Sequence, residues 1–382
     1  MKYLLIKNGK LNDVAANILV GDSKILDTAY VGEAPEGCEI VDAKGMIVAP
    51  GFIDIHLHGG GGYDFMDCTE EAFEVISQTH LKKGATTIIP TAVSSSFERT
   101  VEFIDTYNKV KDRCLNFGGI HLEGPYISPN QKGAHKEKYL HCPNREETKR
   151  LLSVGKGVIK TITAAPELDG MREFAKTMRE NGVLMSLGHS DATSDIALDA
   201  FTWGFSHVTH LYSATTTVRK VNQVVKAGIN EAAYLTDGVT VELIADGCHA
   251  AVDALRLAVK IKGVDNVALV TDALRPAGTD VKESWLGEKI PENRVIIEDG
   301  VAKLPDRSSF AGSISTADII LKKACTHYGL EYNDAIRMLT EVPARILNFN
   351  TKGKIEKGFD ADIILLNDKL DVCTVIKNGN II

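Results

Sequence analysis

His56 and His58 stand one residue apart at the end of an apolar run, MIVAPGFIDIHLH, that begins at Met46. Side chains of an extended strand alternate between its faces, so the two imidazoles point the same way and can grip one cation between them. A pair of solvated histidines at a strand end has the same spacing. The rest of the chain separates these readings, because further strand-like segments deliver Glu123 in HLEGP, His189 in LGHS, His210 in VTHLYS and Asp272 in VTDA at their downstream ends. Imidazole together with carboxylate suits a divalent transition metal, Zn²⁺ or Fe²⁺, and the absence of thiolate partners argues against a structural zinc. The six candidate ligands, His56, His58, Glu123, His189, His210 and Asp272, exceed the need of one ion and would serve one or two per chain. Each also has an ordinary reading: Glu123 as a loop cap, His189 and His210 as satisfied half-buried histidines, Asp272 as a helix N-cap. As an ordered set on successive strands they point to a metal centre.

The elements that must position them alternate. After the first run come TTIIPTAV from Thr86, FGGIHLEGP from Phe117, IKTITAAPE from Ile159, VLMSLGHS from Val183, FSHVTHLYS from Phe205, VTVELIADGCH from Val239 and VALVTDA from Val267, eight strands in all. Stretches of helical period lie between them, such as those from Glu70, Gly170 and Ala251. Near-continuous apolar strands separated by helices imply a parallel sheet, and eight such units predict an α/β fold, a (β/α)8 TIM-type barrel over residues 49–345. Residues 1–48 and 346–382 read instead as short alternating strands with Asn, Asp and Gly turns. Each piece is too small for a core, so both chain ends are expected to pair into one small β-sandwich domain.

Composition bounds the rest. The chain has 382 residues, 44% hydrophobic and 25% charged, enough for one large domain plus a smaller one. A formal net charge of −8 disfavours nucleic acid as a partner. The opening MKYLLIKNGK is too short for a signal sequence, and no segment has the apolar length of a membrane span, so the expected location is cytoplasmic. Seven cysteines without a CxxC fit reduced thiols.

GFIDIHLHGGGG, HLEGPYISPNQKGAH, LGHS, HLYSAT, IADGCH, VTDA and AGS, in this order, resemble the N-acetylglucosamine-6-phosphate deacetylases of the amidohydrolase superfamily. HLEGP followed by GAH is the specific part. The resemblance covers nearly the whole chain and implies a metal-dependent release of acetate from an amino-sugar phosphate, usually by a homodimer. It implies that Glu123, His189 and His210 hold the shared metal, that His56 and His58 are the extra ligands of binuclear members, and that Asp272 is the catalytic acid/base. It also implies that His135 and His249 contact the sugar; Phe310 is counted with the substrate-binding residues.

The chemistry of an amide leads to the same assignment. Its carbonyl is a poor electrophile and its amine a poor leaving group, so hydroxide, carbonyl polarisation and a proton for nitrogen must all be supplied. Asp272 is placed to move that proton, and His249, beside Asp246, to donate to the carbonyl oxygen or to a sugar hydroxyl.

One segment departs from the family. Where it usually reads Asn-Ala-Met and then carries an arginine that reaches across the dimer to bind the phosphate, this chain has Ser213, Ala214 and Thr215, with Asn222 and Gln223 near where Arg and Glu are expected. A phosphate contact could come from Arg219, Lys220 or Lys226, or from the backbone amides of Ser213 and Ala214; otherwise these charges form a solvated helix face. Three functions stay open: deacetylation of N-acetylglucosamine 6-phosphate, deacetylation of another or an unphosphorylated N-acetyl hexosamine, and a different amidohydrolase reaction. Branches for the last commonly carry a carboxylated lysine where this chain offers Glu123. A metal-free scaffold would be expected to have lost ligands.

Overall fold

The computed structural model of the chain describes residues 1–382. Eight parallel strands follow one another around a barrel: β1 (Phe52–Leu57), β2 (Ala85–Val93), β3 (Ile120–Glu123), β4 (Ile159–Ala164), β5 (Leu184–Leu187), β6 (Phe205–Val208), β7 (Thr240–Ile244) and β8 (Val267–Val270). All eight coincide with the runs read from the sequence. A bridge between Leu57 and Ala273 joins β1 to the end of β8 and closes the ring. Most of these strands are buried along their whole length, as a sheet covered on both faces must be.

Helices cover the outside because their apolar residues recur at helical spacing. In Met171–Glu180 the buried side chains are Met171, Phe174, Ala175 and Met178, one stripe against the barrel. Thr69, Ser96 and Asn144 each cap a helix by accepting a backbone N–H in its first turn. No helix is long and apolar enough to cross a membrane.

The two chain ends share one sheet. Ile363–Leu366 pairs with Ile47–Pro50, which leads to Tyr3–Leu11 and Val14–Gly21. The sheet curls until Lys24 bridges Asp360, enclosing Leu4, Ile6, Ile18, Val48, Ile363 and Ile376.

Two further pieces differ from the sequence reading. Residues 219–226 are not a helix face but a hairpin, Arg219–Val221 against Val224–Lys226, turning at Asn222 and Gln223 with φ of 48° and 69°. Positive φ at both turn residues gives the twist that matches paired strands. A four-stranded antiparallel sheet, Glu283–Trp285, Arg294–Glu298, Val301–Lys303 and Phe310–Ser313, follows β8 and was not expected at all. It carries Leu286, Ser309 and Phe310 to the downstream mouth of the barrel.

Ile53, Ile55, Ile89, Ile244 and Val270 form one apolar cluster with Val342 and Ile346. A polar set is buried as well, in which Asp54 accepts from Thr271 at 2.5 Å and Thr163 bonds both His121 and Thr209 at 2.7 Å. Burial pushes the Asp54 carboxyl up to about 6 against those hydrogen bonds.

Candidate metal centre and substrate cavity

The downstream strand ends bring all six expected ligands to one point. His56 and His58 come from β1 and Glu123 from the last residue of β3. His189, His210 and Asp272 follow β5, β6 and β8, and all three have left-handed backbone, with φ of 47°, 28° and 47°. Non-glycine residues rarely take that conformation. Here it turns each side chain across the barrel mouth, the kind of local strain that a fold holds at a working site.

Glu123 is the hub. Its Oε1 lies 2.9 Å from His210 Nε2 and 3.1 Å from His189 Nε2, and its Oε2 3.1 Å from His58 Nε2. Asp272 Oδ1 stands 3.3 Å from His58 Nε2 and 3.8 Å from His56 Nε2. The Nε2 atoms of His189 and His210 face each other at 3.1 Å, and Nε2 of His56 is buried without a hydrogen-bond partner. Ring nitrogens and carboxylate oxygens pointed at a common centre, one of them orphaned, are a donor set suited to a divalent cation. The other ring nitrogens are tied back: His58 to Thr91 O at 3.2 Å, His189 to Gln131 O at 2.8 Å, His210 to Ser213 O at 3.0 Å. Such outer contacts fix which nitrogen is left for the metal.

The electrostatics of the metal-free chain set a cost for loading. Burial disfavours a charged His58, but Asp272 and Glu123 outweigh it and raise its pKa to about 9. His56 is raised as well, burial being overcome by Glu123 and Glu242. Both rings therefore carry protons at pH 7 that a cation must displace. We expect uptake of Zn²⁺ by the stripped protein at pH 7 to release about two protons, and affinity to rise with pH up to about 9. Calorimetric titration in buffers of different ionisation enthalpy reads the release directly; proton-neutral uptake would contradict it.

A cavity of about 300 Å³ opens onto this centre. Its walls include His135, Tyr212, Ser213, Ala214, His249 and Phe310, with His58, Glu123, His189, His210 and Asp272 at the floor. His135 donates or accepts with Ser94 Oγ at 2.7 Å, and burial, aided by His189, holds it neutral with a pKa of about 4. His249 Nδ1 bonds Asp246 Oδ2 at 2.8 Å; burial opposes its charge, but Asp246 raises its pKa above the usual value. Its ring packs 5.0 Å from that of Phe310.

Arg219 and Lys220 are not among the lining residues, and no Lys or Arg is. The Arg219 guanidinium is held by Asp191, donating to Oδ1 at 2.5 Å and to the backbone carbonyl at 2.7 Å. Lys220 points from the hairpin into solvent. The Ser213 N–H donates to His210 O at 2.8 Å within its own turn, whereas the Ala214 N–H has no acceptor in the chain.

Sequence reasoning missed Glu242 and His207. Glu242 is a lone acid inside the apolar β7, and it bonds His56 Nδ1 at 3.1 Å and His207 Nε2 at 3.2 Å. An acidic side chain at an inward strand position was the available signal.

Known proteins resemble this architecture throughout its length. The amidohydrolase family model matches residues 47–382. The chain is 29% identical over 391 residues to an N-acetylglucosamine-6-phosphate deacetylase of Lysinibacillus sphaericus, covering 100% of this chain and 97% of that protein. It is 30% identical over 373 residues to an N-acetylgalactosamine-6-phosphate deacetylase of Shewanella sp. (strain ANA-3), covering 97% and 91%. The crystal structure of N-acetylglucosamine-6-phosphate deacetylase from Pasteurella multocida superposes with a TM-score of 0.92 at 28% identity, over 100% of this chain and 99% of that one.

Proposed function

The chain belongs to the N-acetylglucosamine-6-phosphate deacetylase family of the amidohydrolases, and from that premise we propose that it hydrolyses N-acetylglucosamine 6-phosphate to glucosamine 6-phosphate and acetate. The observation that carries this reading is the convergence of Glu123, His189, His210, His58 and Asp272 on the floor of a cavity that admits a small polar ligand, with His56 buried against them. Glu123, His189 and His210 would hold one divalent cation, with His56 and His58 available for a second. When bound, such a cation lowers the pKa of water and polarises a carbonyl.

The residues of the chain do the rest. In the metal-free chain His58 and His56 outweigh burial and hold Asp272 below the usual carboxylate range; a bound cation would supply positive charge in place of their protons, so that Asp272 would meet substrate ionised and ready to accept a proton from water. The same carboxyl then hands the proton to the departing nitrogen, so that the C–N bond breaks to a neutral amine. His135, neutral and fixed by Ser94, offers Nε2 to a sugar hydroxyl. His249, whose pKa Asp246 raises against burial, faces a cavity that no Lys or Arg lines, and in its protonated form suits a developing oxyanion or a phosphate.

The two roles of His249 are separable. We assign it the phosphate, together with the Ala214 N–H. A charge-assisted contact is worth about 1.5 to 3 kcal/mol, so His249→Gln should lower the ratio of kcat/KM for phosphorylated over free N-acetylglucosamine by roughly tenfold or more. Arg219→Ala, whose guanidinium is occupied by Asp191, should leave that ratio within about threefold of the parent. An equal loss for both sugars in His249→Gln would move this residue to the carbonyl oxygen instead.

A second reading concerns the epimer, because the Shewanella relative named for N-acetylgalactosamine 6-phosphate is as similar as those named for the glucosamine sugar. Comparing kcat/KM for the two 6-phosphates decides it. A preference for the galactosamine compound would replace the substrate and keep the chemistry.

A further inference from the structure

Four histidines aim Nε2 at the metal centre, and one is braced differently. His58, His189 and His210 are held at Nδ1 by neutral backbone carbonyls, whereas His56 is held by the carboxylate of Glu242 at 3.1 Å. Glu242 is 1% exposed and lies inside the barrel below the centre. Its Oε2 also accepts from the His210 N–H at 3.3 Å, and its Oε1 from His207 Nε2 at 3.2 Å. His207 in turn is fixed through Nδ1 by Thr240 at 2.6 Å. No lysine or arginine pairs with Glu242, so its negative charge is balanced only by what the histidines carry or hold.

This asymmetry has a direction. A carboxylate on Nδ1–H locks the tautomer, as a carbonyl does, but it also makes the imidazole a stronger donor and adds a negative charge close to the cation. Two potential cation positions share Glu123: one with His189 and His210, the other with His56, His58 and Asp272, where Glu123 lies 3.5 Å from His56 Nε2 and 3.1 Å from His58 Nε2. Glu123 and Asp272 supply two negative charges against two dications; a third on the His56 side narrows the deficit there. We infer that Glu242 is a positioning residue that secures the second cation, the one held by His56, His58 and Asp272, and is dispensable for the first. This rests on the metal-centre reading above and deepens it to a cation count and the residue behind it.

The test is a Zn²⁺ titration of stripped protein against a competing chromophoric chelator, which needs no substrate and so reads the centre apart from the activity. The parent is expected to take up two cations. In Glu242→Gln, which keeps shape and loses charge, the weaker site should lose at least about tenfold in affinity while the tighter site stays within about threefold. Glu242→Asp retains the buried charge but withdraws it from His56, and should show the same loss to a smaller degree; it carries the comparison if the Gln variant does not fold. Both variants binding two cations as the parent does would overturn the inference, leaving Glu242 a packing partner of His207. Equal weakening of both sites would overturn it too, pointing to its contact with the His210 backbone. A parent that binds one cation only removes the second site and the inference with it, without touching the deacetylase assignment.

Discussion

Asp272→Asn should slow acetate release by about two to four orders of magnitude while the protein keeps the cation held by Glu123, His189 and His210. The substitution leaves an oxygen where Oδ1 stands 3.3 Å from His58, so the donor set and the shape of the cavity floor survive. It removes the capacity to take up and return a proton, which is the contribution expected of a positioned acid/base. The barrel lends the residue two features that favour this role. Its left-handed backbone turns the carboxyl inward from the end of β8, and positive charge at the centre, from the imidazoles of the metal-free chain or a cation in their place, would keep it ionised despite burial. Elemental analysis with a single-turnover rate separates the effects. Turnover within about threefold of the parent would exclude a Brønsted role and transfer proton movement to His249 or to water.

The second large effect is expected at Glu123. Its two oxygens lie within 3.5 Å of four ligand imidazoles and 3.4 Å from His135, so no other residue touches as much of the centre. Glu123→Ala removes the only carboxylate shared by both cation positions and leaves buried rings facing one another. Cation binding should weaken by at least about 100-fold, more than the loss of an outer contact costs, and turnover should fall to background. A Glu123→Ala protein that retains full metal after dialysis against a chelator would dismiss the ligand assignment.

Much of this was legible in the chain itself. The eight barrel strands could be read because parallel strands buried on both faces are written as unbroken apolar runs, and most of the runs lead into a residue that the site uses. Glu123, His189, His210 and Asp272 were visible for that reason, and His56 with His58 through their spacing. The sheet after β8 was not read, although Asp299-Gly300 between Arg294–Glu298 and Val301–Lys303 is a strong hairpin signal. Its strands are only three to five residues long and half-exposed, so no periodicity stands out. The hairpin at 219–226 lacks glycine at its turn, and its mixture of valines with basic and amide residues also suits a helix surface. Arg219 looked available for phosphate because its partner Asp191 lies 28 residues away in sequence. Glu242 was hidden by the opposite effect: one acid in an apolar strand is read as an interruption until the fold shows β1 and β6 each bringing a histidine onto it.

The most direct measurement is a proton NMR time course of N-acetylglucosamine 6-phosphate with the chain, run once metal-replete and once stripped by chelation and then reloaded. The account predicts acetate and glucosamine 6-phosphate appearing in equal amounts with the replete protein, none with the stripped protein, and recovery on adding Zn²⁺ or Fe²⁺. Acetate release that persists undiminished after the metal is removed, or no acetate from any N-acetyl hexosamine 6-phosphate with the metal in place, would contradict it.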